Sequence, residues 1–97
     1  MKARLRVNHK PVEMNRFVED LLGRVTVAIV SALKGTENLR ELDVSLTKDE
    51  VRVTVNGQDI PLNLFTGEVI GNTLRGLVSS LKGVTDTGQV DIRVETD

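Results

Sequence analysis

Apolar and polar residues alternate in four segments of the chain, which is typical of strands that bury one face. The apolar positions are Ala3, Leu5 and Val7; Leu42, Val44 and Leu46; Val51, Val53 and Val55; and Val90, Ile92 and Val94. In two other segments apolar residues recur every three or four positions, as in amphipathic helices. These segments cover residues 17–33 and 65–81, and the pattern places Phe17 and Phe65 on the core side.

Turn and cap residues mark the ends of these elements. Asn8 and Asn56 follow the first and third strands, where asparagine suits a tight turn. Asn15 and Asn63 precede the helices, where the side chain can accept a hydrogen bond from a free amide of the first turn. Each helix is predicted to end in a lysine, which suits the helix dipole, and a glycine, which supplies a left-handed residue. These pairs are Lys34 with Gly35 and Lys82 with Gly83.

The two halves of the chain are similar in sequence. Residues 4–49 align with residues 52–97 at a constant offset of 48 without a gap, and 13 aligned pairs are identical. Average composition would give roughly three identical pairs over this length. Because each half alone is too small for a stable core, we interpret residues 1–97 as one domain made of two repeats, 1–49 and 50–97.

The predicted order of elements is β-α-β-β-α-β. Its natural closed form is an α+β two-layer sandwich, a four-stranded antiparallel sheet with both helices on one face, known as the ferredoxin-like arrangement. In the central hairpin we expect Leu46 to pair with Val51, because this register places the apolar residues of both strands on one face. An alternative treats residues 12–14 and 60–62 as further short strands, so that the chain consists of two β-β-α-β units.

Charge and composition argue against several classes of protein. The 97 residues include 13 basic and 14 acidic ones, for a net charge of −1, and no basic run attracts nucleic acid or an anionic membrane. Without Tyr or Trp the chain lacks the aromatic residues on which bases usually stack, so nucleic-acid binding is disfavoured. Without cysteine it has no disulfide. The sequence shows no signal-peptide pattern and no apolar segment of membrane-spanning length, so we expect a cytoplasmic protein.

The sequence also lacks a recognisable catalytic constellation. His9 is the only histidine and falls in a predicted turn, and neither a phosphate-binding loop nor a metal-spaced acidic cluster occurs. We therefore expect no catalytic residue, no metal and no cofactor, and the sequence favours a non-enzymatic protein.

Two charged positions are identical in both repeats without a local structural reason. Arg4 aligns with Arg52, and Asp43 aligns with Asp91. In the predicted register Asp43 lies diagonal to Arg52 on the outward face of the sheet, and the repeat predicts the same for Asp91 and Arg4. The simpler interpretation is two exposed ion pairs, each contributing less than about 1 kcal/mol. The alternative is a charged binding surface or a contact between subunits.

The predicted helices differ in two respects that bear on association. Val27 falls near the exposed side of the first helix, where the second helix has Arg75. This difference suggests a homodimer contact, and the alternative is a single exposed valine without a role. Gly67, Gly71 and Gly76 interrupt the second helix, and we expect them to allow the two helices to approach closely.

The sequence favours an interaction function. We expect a protein-interaction or self-assembly module whose surface is formed by Arg4, Arg52, Asp43, Asp91 and Val27, and whose partner is another protein or a second copy of the chain. The alternative is a regulatory domain that senses a small-molecule ligand at the turn segments 8–14 and 56–62. Neither interpretation identifies the partner or the ligand.

Overall fold

The computed structural model describes residues 1–81 and 83–96. They form a small α+β fold with two helices and one six-stranded antiparallel sheet. Lys82, predicted at the end of the second helix, and Asp97 lie outside the described residues. In the described ranges no helix is long and apolar enough to cross a membrane.

The sheet has six strands rather than the predicted four. The elements are β1 (Lys2–Val7), β2 (Lys10–Pro11), α1 (Arg16–Val30), β3 (Glu41–Leu46), β4 (Val51–Val55), β5 (Gln58–Asp59), α2 (Leu64–Ser79) and β6 (Val90–Glu95). The strand order is β2-β1-β6-β3-β4-β5, so the two-residue strands β2 and β5 form the edges. They begin two residues before the segments 12–14 and 60–62 of the alternative prediction. The pairing reaches those segments, because Val12 N–H donates to the Leu5 carbonyl at 2.9 Å and Ile60 N–H to the Val53 carbonyl at 2.8 Å.

The central hairpin has the predicted register. Leu46 pairs with Val51. The alternating residues of β1, β3, β4 and β6 bury one face of the sheet, as the sequence pattern predicts. Helix α1 packs against β1 and β6, and α2 packs against β4. The opposite face of the sheet carries the outward side chains and is covered by none of the described elements.

The helix caps form as predicted. The Asn15 side chain accepts a hydrogen bond from Val18 N–H at 2.8 Å, and the Asn63 side chain accepts one from Thr66 N–H at 2.7 Å. The helices end earlier than predicted, at Val30 and Ser79. The glycines beyond them, Gly35 and Gly83, have the expected positive φ of 83° and 87°, but they belong to the turn that follows each helix.

The prediction that Phe17 and Phe65 face the core is wrong, since they are 71 % and 74 % exposed. The helix faces that pack on the sheet are centred on Leu22 and Val30 in α1 and on Ile70, Leu74 and Val78 in α2. Each phenylalanine lies five residues before the first of these positions. At about 100° per residue it points roughly 140° away from the core.

The prediction for the glycines of α2 is also wrong. A Cβ at Gly71 would lie 3.0 Å from the Val51 side chain of β4, so this glycine lets the helix approach the sheet. A Cβ at Gly67 or Gly76 would have no described neighbour within 4 Å. The glycines therefore do not mark a close contact between the helices.

Candidate functional site

The uncovered face of the sheet brings the charged residues of four strands together in two rows. In one row Arg4 lies opposite Arg93, and Arg93 lies opposite Asp43. In the next row Arg6 lies opposite Asp91. That row continues through Ser45 of β3 to Arg52 of β4. We call Arg4, Arg6, Asp43, Arg52, Asp91 and Arg93 the charged sheet face.

These side chains line a shallow groove of about 520 Å³. Four of the five residues predicted from the sequence belong to it: Arg4, Arg52, Asp43 and Asp91. The fifth, Val27, lies on α1 in the other layer of the fold. Val27 is therefore not part of the charged sheet face, and its side chain is half-buried and packs against the core.

The ion pairs on this face differ from the expected ones. Asp43 pairs with Arg93, whose Nη1 lies 2.7 Å from its carboxylate, and Arg52 pairs with Glu50 at 3.2 Å. Asp91 accepts a hydrogen bond from the Gln89 side-chain amide at 3.2 Å. The predicted diagonal pairs do not form, because Arg93 stands directly opposite Asp43 on the neighbouring strand and is the nearer partner.

Arg93 is the electrostatic centre of the face. Its hydrogen bond to Asp43 and the charge of that carboxylate raise its pKa, and Glu41 and Glu95 act in the same direction. Their carboxylates lie 3.7 and 4.0 Å from Arg93 Nη2. Glu41 and Glu95 stand directly opposite one another across β3 and β6, so Arg93 relieves the repulsion between two like charges.

Strand β1 presents cations that this network does not neutralise. Its outward residues are Lys2, Arg4 and Arg6. In the described part of the chain none of the three takes part in an ion pair. The face therefore has a positive strip along β1 beside the carboxylates of β6 and β3. Guanidinium groups arranged in this way can bind carboxylate or phosphate oxygens in pairs.

Among the described residues, the charged sheet face has no metal-binding cluster and no imidazole. Residues 1–81 and 83–96 contain no group of three or more His, Cys, Asp or Glu side chains that could hold a metal ion. His9 lies in the turn between β1 and β2, where its φ is 68°. The arrangement supplies fixed charges, and its side chains include neither a thiol nor an imidazole.

Comparison with protein-family models, curated proteins and solved structures gave no match to this chain. A function for this chain can therefore be inferred only from its fold and from the charged sheet face.

Proposed function

We propose that this chain is a non-enzymatic interaction module that binds a partner protein through its charged sheet face. The observation that carries the proposal is the groove in which Arg4, Arg52, Asp43 and Asp91 meet on a face that no helix covers. Arginine is enriched at protein interfaces, where its planar group makes several hydrogen bonds while its stem packs.

The charge pattern specifies the chemistry of the partner. Lys2, Arg4 and Arg6 form a positive strip without intramolecular ion pairs among the described residues. A partner that presents carboxylates along this strip gains charge-assisted hydrogen bonds. It also avoids the central carboxylates of Asp43 and Asp91. An acidic surface or segment of another protein fits this pattern best.

The area of the face favours a reversible complex. Even if all six strands were six residues long, a strand spacing of about 4.8 Å and a rise of about 3.3 Å per residue would give a face of at most about 600 Å². Stable interfaces commonly bury about 800 Å² on each partner. A permanent homodimer formed through this face alone would bury a smaller interface than usual. A transient complex with a different protein fits the area better.

The variant Arg4→Ser with Arg6→Ser tests the proposal. The probe is a short blocked glutamate peptide, titrated into labelled protein while backbone amide shifts are recorded by NMR. We expect the shifts to cluster on β1 and β6, and the double variant to bind at least about tenfold more weakly, the effect of losing about 1.4 kcal/mol. The control, Arg24→Ser with Lys34→Ser, removes the same charge from the helix layer and should bind like the parent.

Two results would contradict the proposal: shifts scattered over the whole surface, or equal weakening by the control.

Sedimentation measurements on the same proteins address self-assembly. A dimer that survives the Arg4 and Arg6 changes and is lost in Val27→Arg would locate association on α1, in agreement with the dimer contact expected from the sequence.

A small-molecule sensor is the second candidate, and the size of the groove favours it. Ligand sites commonly measure about 300–1,000 Å³, and this groove of about 520 Å³ combines cations with carboxylates. A zwitterion such as a free amino acid would place its carboxylate near Arg4 or Arg6 and its ammonium near Asp91. Thermal shift with the common amino acids tests this idea, since a ligand at 100 times its Kd stabilises by about 2.7 kcal/mol. Unchanged unfolding temperatures would exclude it.

We also propose that the fold is a duplicated β-β-α-β unit rather than a four-stranded ferredoxin-like sheet. Each half supplies two strands, a helix and a third strand in the same order. The pairing between β3 and β6 is reciprocal, with Leu42 opposite Val94 and Leu46 opposite Val90. Leu42 aligns with Val90, and Leu46 with Val94, at the offset of 48. This reciprocity supports two equivalent units related by an approximate twofold axis.

A further inference from the structure

The outer edge of β4 carries an open pair of backbone groups at Val51. Thr47 N–H donates to the Glu50 carbonyl at 2.9 Å, so Glu50 faces β3. Successive residues of a strand direct their backbone groups to opposite sides, so Val51 and Val53 face away from β3. The Val53 carbonyl accepts from Ile60, whereas no hydrogen bond of the described residues reaches the outward N–H or C=O of Val51.

The corresponding edge of β1 is closed by the chain itself. Ala3 aligns with Val51 at the offset of 48. Its N–H donates to the carboxylate of Glu19, on α1, at 3.1 Å. Beside it the Met1 side chain lies over Gly23, so near that a Cβ there would come 2.7 Å from the sulfur. A carboxylate and a thioether thus cover this edge of the first half.

The second half lacks both of these covers. Gly67 takes the place of Glu19, and Asp49 takes the place of Met1. The result is a groove of about 390 Å³ between the β3–β4 turn and α2. We call it the β4 edge groove. Leu64, 79 % exposed, lies at its rim.

The charges of the groove select a basic occupant. Asp49, Glu50 and Glu68 are the three acidic residues of its lining, and the Glu50 carboxylate also forms an ion pair with Arg52. Of its two cations, Arg75 donates hydrogen bonds to the carbonyls of Thr47 and Thr87. Lys48, in the turn, is the other. The lining therefore has a net charge of −1 and disfavours a free carboxylate, although a carboxylate closes the equivalent edge of β1.

We propose that the β4 edge groove binds an extended segment of a partner protein that carries lysine or arginine beside an apolar residue. The segment adds to β4 by pairing with the N–H and C=O of Val51, while its apolar side chain covers Leu64 and its cation approaches Asp49 or Glu68. This mode of recognition is strand addition at an exposed sheet edge. The site is separate from the charged sheet face, which lies on a face of the sheet and not at its edge.

The occupant is not the β1 strand of a second copy. That strand is basic and extended, but β2 pairs with its outer edge at Arg6 and Val7. Glu19 occupies its outward N–H at Ala3. Its edge would have to be uncovered before it could pair with Val51, so the two halves do not offer a ready head-to-tail contact.

Gly67→Glu is the decisive variant, because it introduces at α2 the carboxylate that Glu19 supplies at α1. Gly76→Glu is its matched control, since it makes the same change in the same helix but does not line the groove. A Cβ meets no described atom within 4 Å at either position, so both variants should fold. The probe is a short blocked peptide of alternating lysine and valine, titrated into labelled protein and followed by the Val51 amide shift in NMR spectra.

We expect the peptide to shift Val51 and its neighbours in the parent and in Gly76→Glu, and to bind Gly67→Glu at least about tenfold more weakly. A peptide with glutamate in place of lysine should bind the groove weakly in all three proteins. Equal binding by the two glycine variants, an equal shift of the Val51 amide by the glutamate peptide, lysine-peptide shifts confined to the charged sheet face, or no binding of the lysine peptide would each overturn the proposal. The Arg4 and Arg6 test is distinguished by its readout, because it follows glutamate-peptide shifts on β1 and β6 and uses different variants.

Discussion

The loss of the Asn56 side chain should destabilise the fold more than the loss of its counterpart Asn8. Asn56 lies in the turn between β4 and β5 with a φ of 51°. Its Oδ1 accepts hydrogen bonds from Arg40 N–H at 2.9 Å and Glu41 N–H at 3.0 Å. Its Nδ2 donates to the Asn38 carbonyl at 2.9 Å. The side chain therefore ties the loop before β3 to the turn.

Asn8 has the same φ of 51° and makes two such bonds. Its Oδ1 accepts from Gln89 N–H at 2.9 Å, and its Nδ2 donates to the Asp86 carbonyl at 3.2 Å. Glycine at either position keeps the positive φ without strain, so the comparison isolates the side-chain bonds. At roughly 0.7 kcal/mol per exposed bond, Asn56→Gly should cost about 2 kcal/mol and Asn8→Gly about 1.5.

Urea unfolding followed by far-ultraviolet circular dichroism measures both changes, since the chain has no Tyr or Trp to report by fluorescence. Each kcal/mol lost in Asn56→Gly or Asn8→Gly should lower the unfolding temperature by about 4–8 °C in a domain of this size. Asn56→Asp, which keeps the Oδ1 acceptors and loses the Nδ2 donor, should lie between the parent and Asn56→Gly. A loss below about 0.5 kcal/mol for Asn56→Gly, or one smaller than that of Asn8→Gly, would refute the reasoning.

Three further predictions concern the sheet face, the β4 edge and the core. Arg93→Met should destabilise the protein by about 0.5–1 kcal/mol, reduced by high salt because the ion pairs are exposed. The raised pKa of Arg93 means that its contribution is lost only as pH rises through that pKa, so the loss should be constant from about pH 6 to 9. Gly67→Glu and Gly76→Glu should each raise the free energy of unfolding by about 0.5–1 kcal/mol, because glutamate has the higher helix propensity. Gly67→Glu should be the more stable of the two, because its carboxylate can also accept a hydrogen bond from Val51 N–H. Equal free energies of unfolding would contradict that hydrogen bond. Leu74→Ala should lower the free energy of unfolding by about 2–5 kcal/mol, because Leu74 is 0 % exposed. Val69→Ala, at an exposed side chain, should change it by less than about 0.5 kcal/mol. Similar losses of stability in the two variants would show that Leu74 does not belong to the core.

The strand faces, the central register and the helix caps could be predicted because local chemistry determines them. A pairing shifted by one residue would expose every apolar side chain of the hairpin, so Leu46 opposite Val51 follows from the pattern alone. An asparagine before a helix has a free amide within reach whatever lies elsewhere in the fold, and Asn15 and Asn63 bond as expected.

The helix faces and ends could not be fixed in the same way. An apolar residue every four positions drifts around a helix of 3.6 residues per turn, so the series from Phe17 does not coincide with the buried line through Leu22 and Val30. Which line of side chains is buried depends on how the helix rests on the sheet. Edge strands of two residues are also too short to produce a period, and β2 and β5 were therefore expected only in the alternative prediction.

In the candidate site, the strand register could be predicted from the sequence, whereas the side-chain contacts could not. The register brings Arg4, Arg52, Asp43 and Asp91 into one groove, as alternation along the strands requires. The choice of partners depends on the residues directly opposite, and Arg93 displaces the expected diagonal pair. Arg93 is not among the site residues predicted from the sequence because its aligned residue is Ser45, whereas the four charged residues predicted for the site are identical in both halves.

Positions where the two aligned halves differ change the local contacts of this chain. Identical positions such as Asn15 and Asn63 make the same local bonds in each half. The replacement of Glu19 by Gly67 leaves the outward N–H of Ala3 bonded and the outward N–H of Val51 open. A twofold arrangement with both edges open would expose two strands that could pair end to end and polymerise. Of the aligned residues Ala3 and Val51, only Val51 has open outward groups, and this asymmetry is the physical reason for proposing recognition at Val51.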